Sequence, residues 1–471
     1  MNRSKQQFTT QVCPYGGGVM KGRIMRKHRL ITLTAAAIIP VMALSACGGA
    51  KNETASSTPQ GEQTVTFWYS SAGHAVQTIN DLVSTFNKEH EGKIKVKASY
   101  QGSYTDAQQK FSAAVQSKST PSIMQTDGTS TAFMIDSKQA TPIYELAKGD
   151  KSFDDSVVPA IARKYYSDSK GMLSLPMSIS VPTMYINKQL ATQAGLDPSN
   201  PPLTFDEVVQ WANTIHAKTG AYGYGQYMSD SWMLEVLSAT GGMNICNPDN
   251  GQNGKPVTGI TMSSDLQVKT FQKIADMFKS GVGLNTGTRN TDVAANFSAN
   301  KLGIALSSSA AYTVMGPADN VVVAQFPSTS SSKKAGPLMG GNSLWVIKGN
   351  HSEAEQKAAF EFGKYLMSPH AQALFSKSTG YLFANKEAAK EPEGKALMAD
   401  PNMKVFYKQL DTTPLSSVSL GCRTGAFPLI RKDVIASFND ALSGKDMKAS
   451  MQDAETKAAT DIASYNKAAK K

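Results

Sequence analysis

The sequence predicts an α/β protein of two lobes, and three observations carry that prediction. Strand-like and helix-like segments alternate from residue 64 onward, the pattern of βαβ units with a mainly parallel sheet. The 471 residues exceed what one hydrophobic core holds, even after removal of an N-terminal export segment. A second strand–helix series begins after Pro182.

The export segment comes first. Met25-Arg26-Lys27-His28-Arg29 is cationic, and Leu30 to Leu44 is apolar apart from Thr32, Thr34 and Pro40. A basic start, an apolar run too short to span a bilayer and a small-residue cleavage site form a secretory signal. Cys47 directly after Leu44-Ser45-Ala46 resembles a bacterial lipobox, which implies cleavage before Cys47 and a lipid on its sulfur. A transmembrane anchor is the alternative. Residues 1–46 are therefore left out of the fold. The remaining chain is expected on the extracellular face of the cell membrane, held by lipid.

This segment also distorts the charge and the cysteine count. The formal net charge is +11, but residues 1–46 hold Arg3, Lys5, Lys21, Arg23, Arg26, Lys27 and Arg29 with no acid. Without them, 41 Lys and Arg face 37 Asp and Glu. That balance, with no basic cluster interleaved with aromatics, excludes a nucleic-acid footprint. Of four cysteines, Cys13 is removed and Cys47 acylated, leaving Cys246 and Cys422. One pairing is open to them in an oxidising compartment; two buried free thiols are the alternative.

The elements follow in order. Residues 47–63 are small and polar and read as a flexible tether. Thr64 to Tyr69 is a strand, and Ala75 to His90 carries Val76, Ile79, Leu82, Val83 and Phe86 at helical spacing. Ile94 to Tyr100 alternates as a strand, Tyr104 to Gln116 reads as a helix, and Pro121 to Gln125 as a short strand. Thr183 to Asn187 opens the second series, and Thr204-Phe205-Asp206-Glu207 is a capping box at a helix start. The later half is helical over 352–367, 370–377, 430–442 and 451–467. One lobe is expected from 64–180 and 305–345, the other from 183–300 and 346–430, with C-terminal helices over 430–471.

The search for catalysis is negative. His74, His90, His216, His351 and His370 are scattered and make no metal-ligand spacing. No GxSxG, P-loop, GxGxxG or HExxH occurs, so neither a metal nor a cofactor is expected. An extracellular glycosidase or phosphodiesterase remains an alternative only through unplaced acid pairs. A lipid-tethered, two-lobed protein of this kind most simply captures a ligand.

Several motifs give that idea content. Phe67-Trp68-Tyr69-Ser70, Tyr100-Gln101-Gly102-Ser103-Tyr104 and Tyr165-Tyr166-Ser167-Asp168-Ser169-Lys170 come first. Tyr185-Ile186-Asn187-Lys188, Ala194-Gly195-Leu196-Asp197-Pro198 and Pro201-Pro202 follow. Gly340-Gly341-Asn342-Ser343-Leu344-Trp345-Val346, Ser378-Thr379-Gly380-Tyr381 and Phe427-Pro428-Leu429-Ile430-Arg431 complete the set. In this order they resemble the glycerol-3-phosphate-binding proteins of ABC importers. The resemblance implies a periplasmic-binding-protein-like fold, two α/β lobes with a ligand cleft between them. It also implies a monomeric receptor that passes a phosphorylated solute to permease transmembrane subunits. An oligosaccharide receptor of an ABC importer is the second reading.

Carried over position by position, the resemblance assigns the phosphate to Tyr104, Ser180, Ser308, Gly341, Tyr381 and Arg431. Hydroxyls, an amide and a guanidinium bind a phosphate monoester well when no carboxylate stands nearby. Arg431 is expected to open a helix after Pro428, where the macrodipole already favours an anion. Trp232 is a candidate to stack on the ligand, with a core position as the alternative. One position departs from the family: the glutamate that holds the glycerol hydroxyls aligns with Gly128. Neighbouring Asp127 is the candidate replacement, so the hydroxyl-reading end is expected to be altered, admitting a glycerophosphodiester on equal terms with glycerol-3-phosphate.

Overall fold

The computed structural model describes residues 61–226, 232–287, 289–330 and 336–469. The signal segment, Cys47 and most of the tether lie outside the described residues. No helix among the described residues is long and apolar enough to cross a membrane.

Two five-stranded sheets organise the chain. The first is built from β1 (Gln63–Tyr69), β2 (Ile94–Tyr100), β3 (Ile123–Asp127), β4 (Leu175–Ser180) and the late strand β12 (Gly340–Val346), in the order β2-β1-β3-β12-β4. The second is built from β5 (Pro182–Asn187), β6 (Tyr222–Gln226), β9 (Gly283–Leu284), β10 (Leu302–Ser308) and β11 (Val321–Gln325), in the order β11-β5-β10-β6-β9. A small antiparallel pair, β7 (Cys246–Asn247) and β8 (Gly259–Ile260), stands apart.

Both sheets are mixed, not mainly parallel. β1 runs parallel to β2 and β3, whereas β12 is antiparallel to β3 and β4. β10 is parallel to β6 but antiparallel to β5. The reason is topological. A helical crossover forces parallel neighbours, but β12 enters the first sheet from the second lobe, free of that constraint. The same crossings move the expected lobe boundaries. Residues 302–308 and 321–325 pair with β5 in the second sheet, so of the 305–345 stretch β12 is what joins the first. The helices Glu353–Leu366 and Pro369–Thr379 then stay with the first sheet: Phe362 meets Phe67 edge-on at 5.3 Å, and Gln372 Nε2 donates to Met177 O at 2.8 Å.

Local signals explain the elements. Helix His74–Glu89 buries Ala75, Ile79, Leu82, Val83 and Phe86 on one face. Helix Phe205–Thr219 starts at the capping box, with Thr204 accepting from the Glu207 N–H and Glu207 accepting from the Thr204 N–H. Only Val181 separates β4 from β5, so the chain passes from one sheet to the other in a single residue. Ser309 fastens this crossing: its N–H donates to Val181 O at 2.8 Å, and its Oγ accepts from Val181 N–H at 3.1 Å.

Candidate functional site

A cavity of about 410 Å³ lies where strand ends of the two sheets face each other, and all eight sequence-derived positions line it: Tyr104, Asp127, Ser180, Trp232, Ser308, Gly341, Tyr381 and Arg431. These residues span more than 300 positions of chain, and the fold brings them together.

The first lobe supplies a neutral wall around one carboxylate. Tyr104 opens the helix Tyr104–Ser117, whose start is fixed by a reciprocal Ser103–Asp106 capping box. Its hydroxyl accepts from Asn342 Nδ2 at 3.1 Å. Asn342 is fully buried and also donates to Ser178 Oγ at 2.7 Å, while its Oδ1 accepts from Gln125 Nε2 at 3.0 Å. Gln125 Oε1 in turn accepts from the N–H groups of Ser70 and Ser71 at 2.9 and 3.0 Å. A chain of buried amides therefore fixes where the Tyr104 hydroxyl stands.

Asp127 ends β3, and its two oxygens accept from Thr129 Oγ1 and Ser130 Oγ, both at 2.5 Å. Its charge reaches four phenols. Burial pushes the pKa values of Tyr104, Tyr165, Tyr166 and Tyr381 above the usual tyrosine range, and the Asp127 carboxylate adds to each shift. All four are neutral donors at physiological pH.

Gly128 carries the departure seen in the sequence. Tyr165 closes the space beside it: the phenol donates to Gly128 O at 2.7 Å, and a Cβ at 128 would stand 3.4 Å from the Tyr165 ring and the Tyr166 hydroxyl. A side chain at 128 would start in van der Waals contact with these rings. Gly341 is required by its backbone. Its φ is +126°, and an added Cβ would fall 2.1 Å from Ser178 O. Ser180 faces Gly340 across the same strand pair.

The second lobe supplies the charged wall. Arg431 is the fifth residue of the helix Phe427–Leu442, a full turn in, so it does not open the helix as expected. Its Nε donates to Glu235 Oε1 at 2.8 Å, and its guanidinium lies 5.3 Å from the centre of the Phe427 ring. Glu235 also lines the cavity, which overturns the expectation of a guanidinium without a nearby carboxylate. The signal was present: Met233–Thr240 is buried on every side, and Glu235 is the single charge within it. A lone charge in a helix buried on every side calls for an internal partner. Trp232 precedes this helix and lines the cavity. The Ser308 hydroxyl is engaged locally, accepting from Ala310 N–H at 3.2 Å as a helix cap.

Cys422 lines the same cavity and is joined to Cys246 by a disulfide, which staples this wall to the β7–β8 pair. Among the described residues no group of three or more His, Cys, Asp or Glu side chains is placed to hold a metal ion.

Comparison with known proteins adds four findings. The family model for bacterial extracellular solute-binding proteins matches residues 81–405. The sn-glycerol-3-phosphate-binding periplasmic protein UgpB of Pectobacterium atrosepticum is 29% identical over 388 residues, 81% of this chain and 87% of that protein. Among solved structures, UgpB of Mycobacterium tuberculosis in complex with glycerophosphocholine superposes with a TM-score of 0.68 at 20% identity, covering 85% of this chain and 98% of that one. The acarbose-binding GacH receptor of Streptomyces glaucescens superposes equally well, with a TM-score of 0.69 at 22% identity, 85% and 99% covered. Fold likeness therefore does not separate a glycerophosphate receptor from a sugar receptor.

Proposed function

The chain belongs to the bacterial extracellular solute-binding proteins, and from that premise we propose that it captures a glycerophosphate compound, glycerol-3-phosphate or a glycerophosphodiester. It serves as the solute-binding component of an ABC importer, so its work is capture and delivery to a permease. We further propose that Cys47 is the lipidated N-terminus that holds the receptor at the membrane.

The observation that carries the ligand reading is that Arg431 lines one cavity, shared by both lobes, with Tyr104, Tyr381 and Ser180. Guanidinium and phenol donors suit a phosphate, and each hydrogen bond to a charged group contributes roughly 1.5–3 kcal/mol. Charge then favours one member of the class. Among the described lining residues Asp127 and Glu235 face a single arginine, Arg431. A phosphomonoester dianion meets two carboxylates there, and like charges 4 Å apart repel by about 4 kcal/mol at a protein-like dielectric. A diester carries one negative charge, and a cationic head group compensates the acids, with Trp232 and Tyr165 as aromatic faces for it. A zwitterionic glycerophosphodiester therefore fits better than glycerol-3-phosphate. Ligand held by both lobes stabilises their approach, a hinge motion centred on Val181.

An oligosaccharide is the second reading, favoured by the same two carboxylates and the aromatic wall, which suit sugar hydroxyls and ring faces. Calorimetric titration with glycerophosphocholine, glycerol-3-phosphate, inorganic phosphate and maltotriose separates them. Glycerophosphocholine is expected to bind tightest. Tight maltotriose binding without either glycerophosphate would overturn the reading. For the anchor, Cys47→Ser should release the protein from membranes; unchanged retention with normal processing rejects it.

A further inference from the structure

Arg423 lies in the loop that follows the short helix Ser417–Leu420 and precedes the helix Phe427–Leu442. That loop is fastened to the second lobe. Cys422 is bonded to Cys246, the Arg423 N–H donates to Asn250 O at 2.8 Å, and Asn250 itself holds Cys246 N–H at 2.8 Å and Ser417 O at 2.9 Å. The Arg423 side chain leaves this lobe. Its Nη2 donates to the carbonyl of Tyr165, and its guanidinium lies 5.4 Å from the centre of the Tyr165 ring. Tyr165 ends the helix Ala160–Tyr165 and packs in the first-lobe core with Tyr166 and Leu175.

The electrostatics point the same way. Burial pulls the Arg423 pKa below the usual arginine range, and the carboxylate that works against this, Asp168, belongs to the first lobe. Its Nε has no hydrogen-bond partner among the described residues. The contacts that compensate this burial in part, the Tyr165 carbonyl and ring, come from across the interface. A second bridge runs alongside: the Tyr465 hydroxyl, on the C-terminal helix Met447–Ala469, donates to Asp136 Oδ2 of the first lobe at 2.7 Å. Gly425, two residues from Arg423, lies under the Tyr465 ring, where a Cβ would stand 2.1 Å from it. One loop thus organises both bridges.

We propose that Arg423 is a cross-lobe positioning residue that grips Tyr165, drawing the lobes together and holding the Tyr165 ring in the cavity wall beside Gly128. Tyr165 is the link to the ligand, since it lines the cavity and donates to Gly128 O. The affinity effect rests on the solute-binding reading; the effect on the lobes does not.

The test compares wild type, Arg423→Gln, Arg423→Lys and Tyr465→Phe as processed full-length proteins. Small-angle scattering without ligand reads the lobes directly. Arg423→Gln should enlarge the radius of gyration, and Tyr465→Phe, which keeps the ring, should do so to a smaller degree. Arg423→Lys should fall between wild type and Arg423→Gln, because an ammonium stacks on the ring but lacks the planar fork. With glycerophosphocholine and glycerol-3-phosphate as probes, Arg423→Gln should weaken binding three- to tenfold through faster dissociation, with association within twofold. Ligand-free scattering identical to wild type in both Arg423→Gln and Tyr465→Phe would overturn the proposal, as would unchanged dissociation of a probe that wild type binds. If wild type binds neither probe, scattering still decides the bridge, and only the ligand reading falls.

Discussion

The two walls of the cavity are built by different physics. On the first lobe, position is set by neutral groups: Gln125 and Asn342 make a buried amide chain that ends on the Tyr104 hydroxyl, and Gly341 lets two strands close up. On the second lobe, position is set by charge and covalent bonding: Arg431 pairs with Glu235, and the Cys246–Cys422 bridge holds the adjoining loop. A neutral network keeps its geometry whatever the salt or pH, whereas a charged wall attracts ligand and responds to both. The first wall gives shape, and the second gives attraction.

The largest expected effect breaks the charged wall. Arg431→Ala should weaken glycerophosphate binding at least tenfold and lower stability by about 3–5 kcal/mol, because it takes a guanidinium away from the buried Glu235. Arg431→Lys should restore only part of the binding, since a point charge does not reproduce the fork. Calorimetry with parallel thermal melts checks this, and wild-type affinity in a folded Arg431→Ala protein would remove Arg431 from the ligand set. The converse change sharpens the comparison. Glu235→Gln should improve glycerol-3-phosphate relative to glycerophosphocholine, by lowering repulsion toward the dianion.

Next in size is the disulfide. The two cysteines are 176 residues apart, and a cross-link closing so long a loop typically contributes about 2–4 kcal/mol. The double Cys246→Ser, Cys422→Ser protein should melt lower by that amount, with the loss absent when both proteins are compared under reducing conditions. Gln125→Leu tests the neutral wall. Removing its side chain leaves the Ser70 and Ser71 N–H groups without the Oε1 acceptor, at a cost of about 2–3 kcal/mol. Its effect on binding should be independent of salt, while that of Arg431→Ala should shrink as salt rises. Equal salt dependence would show that the two walls do not differ as described.

Much of this molecule was legible before its structure. Strands such as Ile94–Tyr100 alternate strongly, and the Thr204–Glu207 capping box marks its helix to the residue. Sheet membership was not legible. Residues 302–308 and 321–325 are strands, but nothing local says which of two sheets they join, because pairing with β5 is decided by partners more than a hundred residues away. The cavity positions came through motif resemblance, not chemistry. Ser180 and Gly341 look like turn residues in isolation, and only the close approach of β4 and β12 gives them a place at the wall. Glu235 was missed for another reason, although its lone charge in a mostly apolar stretch was a signal. A periodicity reading treats an acid as a solvent-facing residue, whereas this one is buried because its partner, Arg431, is 196 residues away.

The smallest predicted effect separates the lobes by their response to acid. In the first lobe, Asp150 pairs with Lys364 at 2.5 Å and accepts from Ser152 N–H and Oγ, which holds its carboxyl down at about 2. The unfolded chain takes up that proton near pH 4. The Asp150 contribution is therefore fully present above about pH 4 and is lost as pH falls toward 2. In the second lobe, Asp433 is buried against Lys457, and burial raises its pKa despite that cation. The folded state then binds this proton more readily than the unfolded chain, so acidification favours the folded state at this site. Thermal melts from pH 7 to pH 3 should show opposite behaviour in two variants. Asp150→Asn should be less stable than wild type at pH 7, with the difference closing at low pH. Asp433→Asn should match or exceed wild type at pH 7 and lose that advantage in acid. A larger loss at pH 7 from Asp433→Asn than from Asp150→Asn would mean that the Lys457 pair outweighs burial, and the contrast in sign between the lobes would not hold.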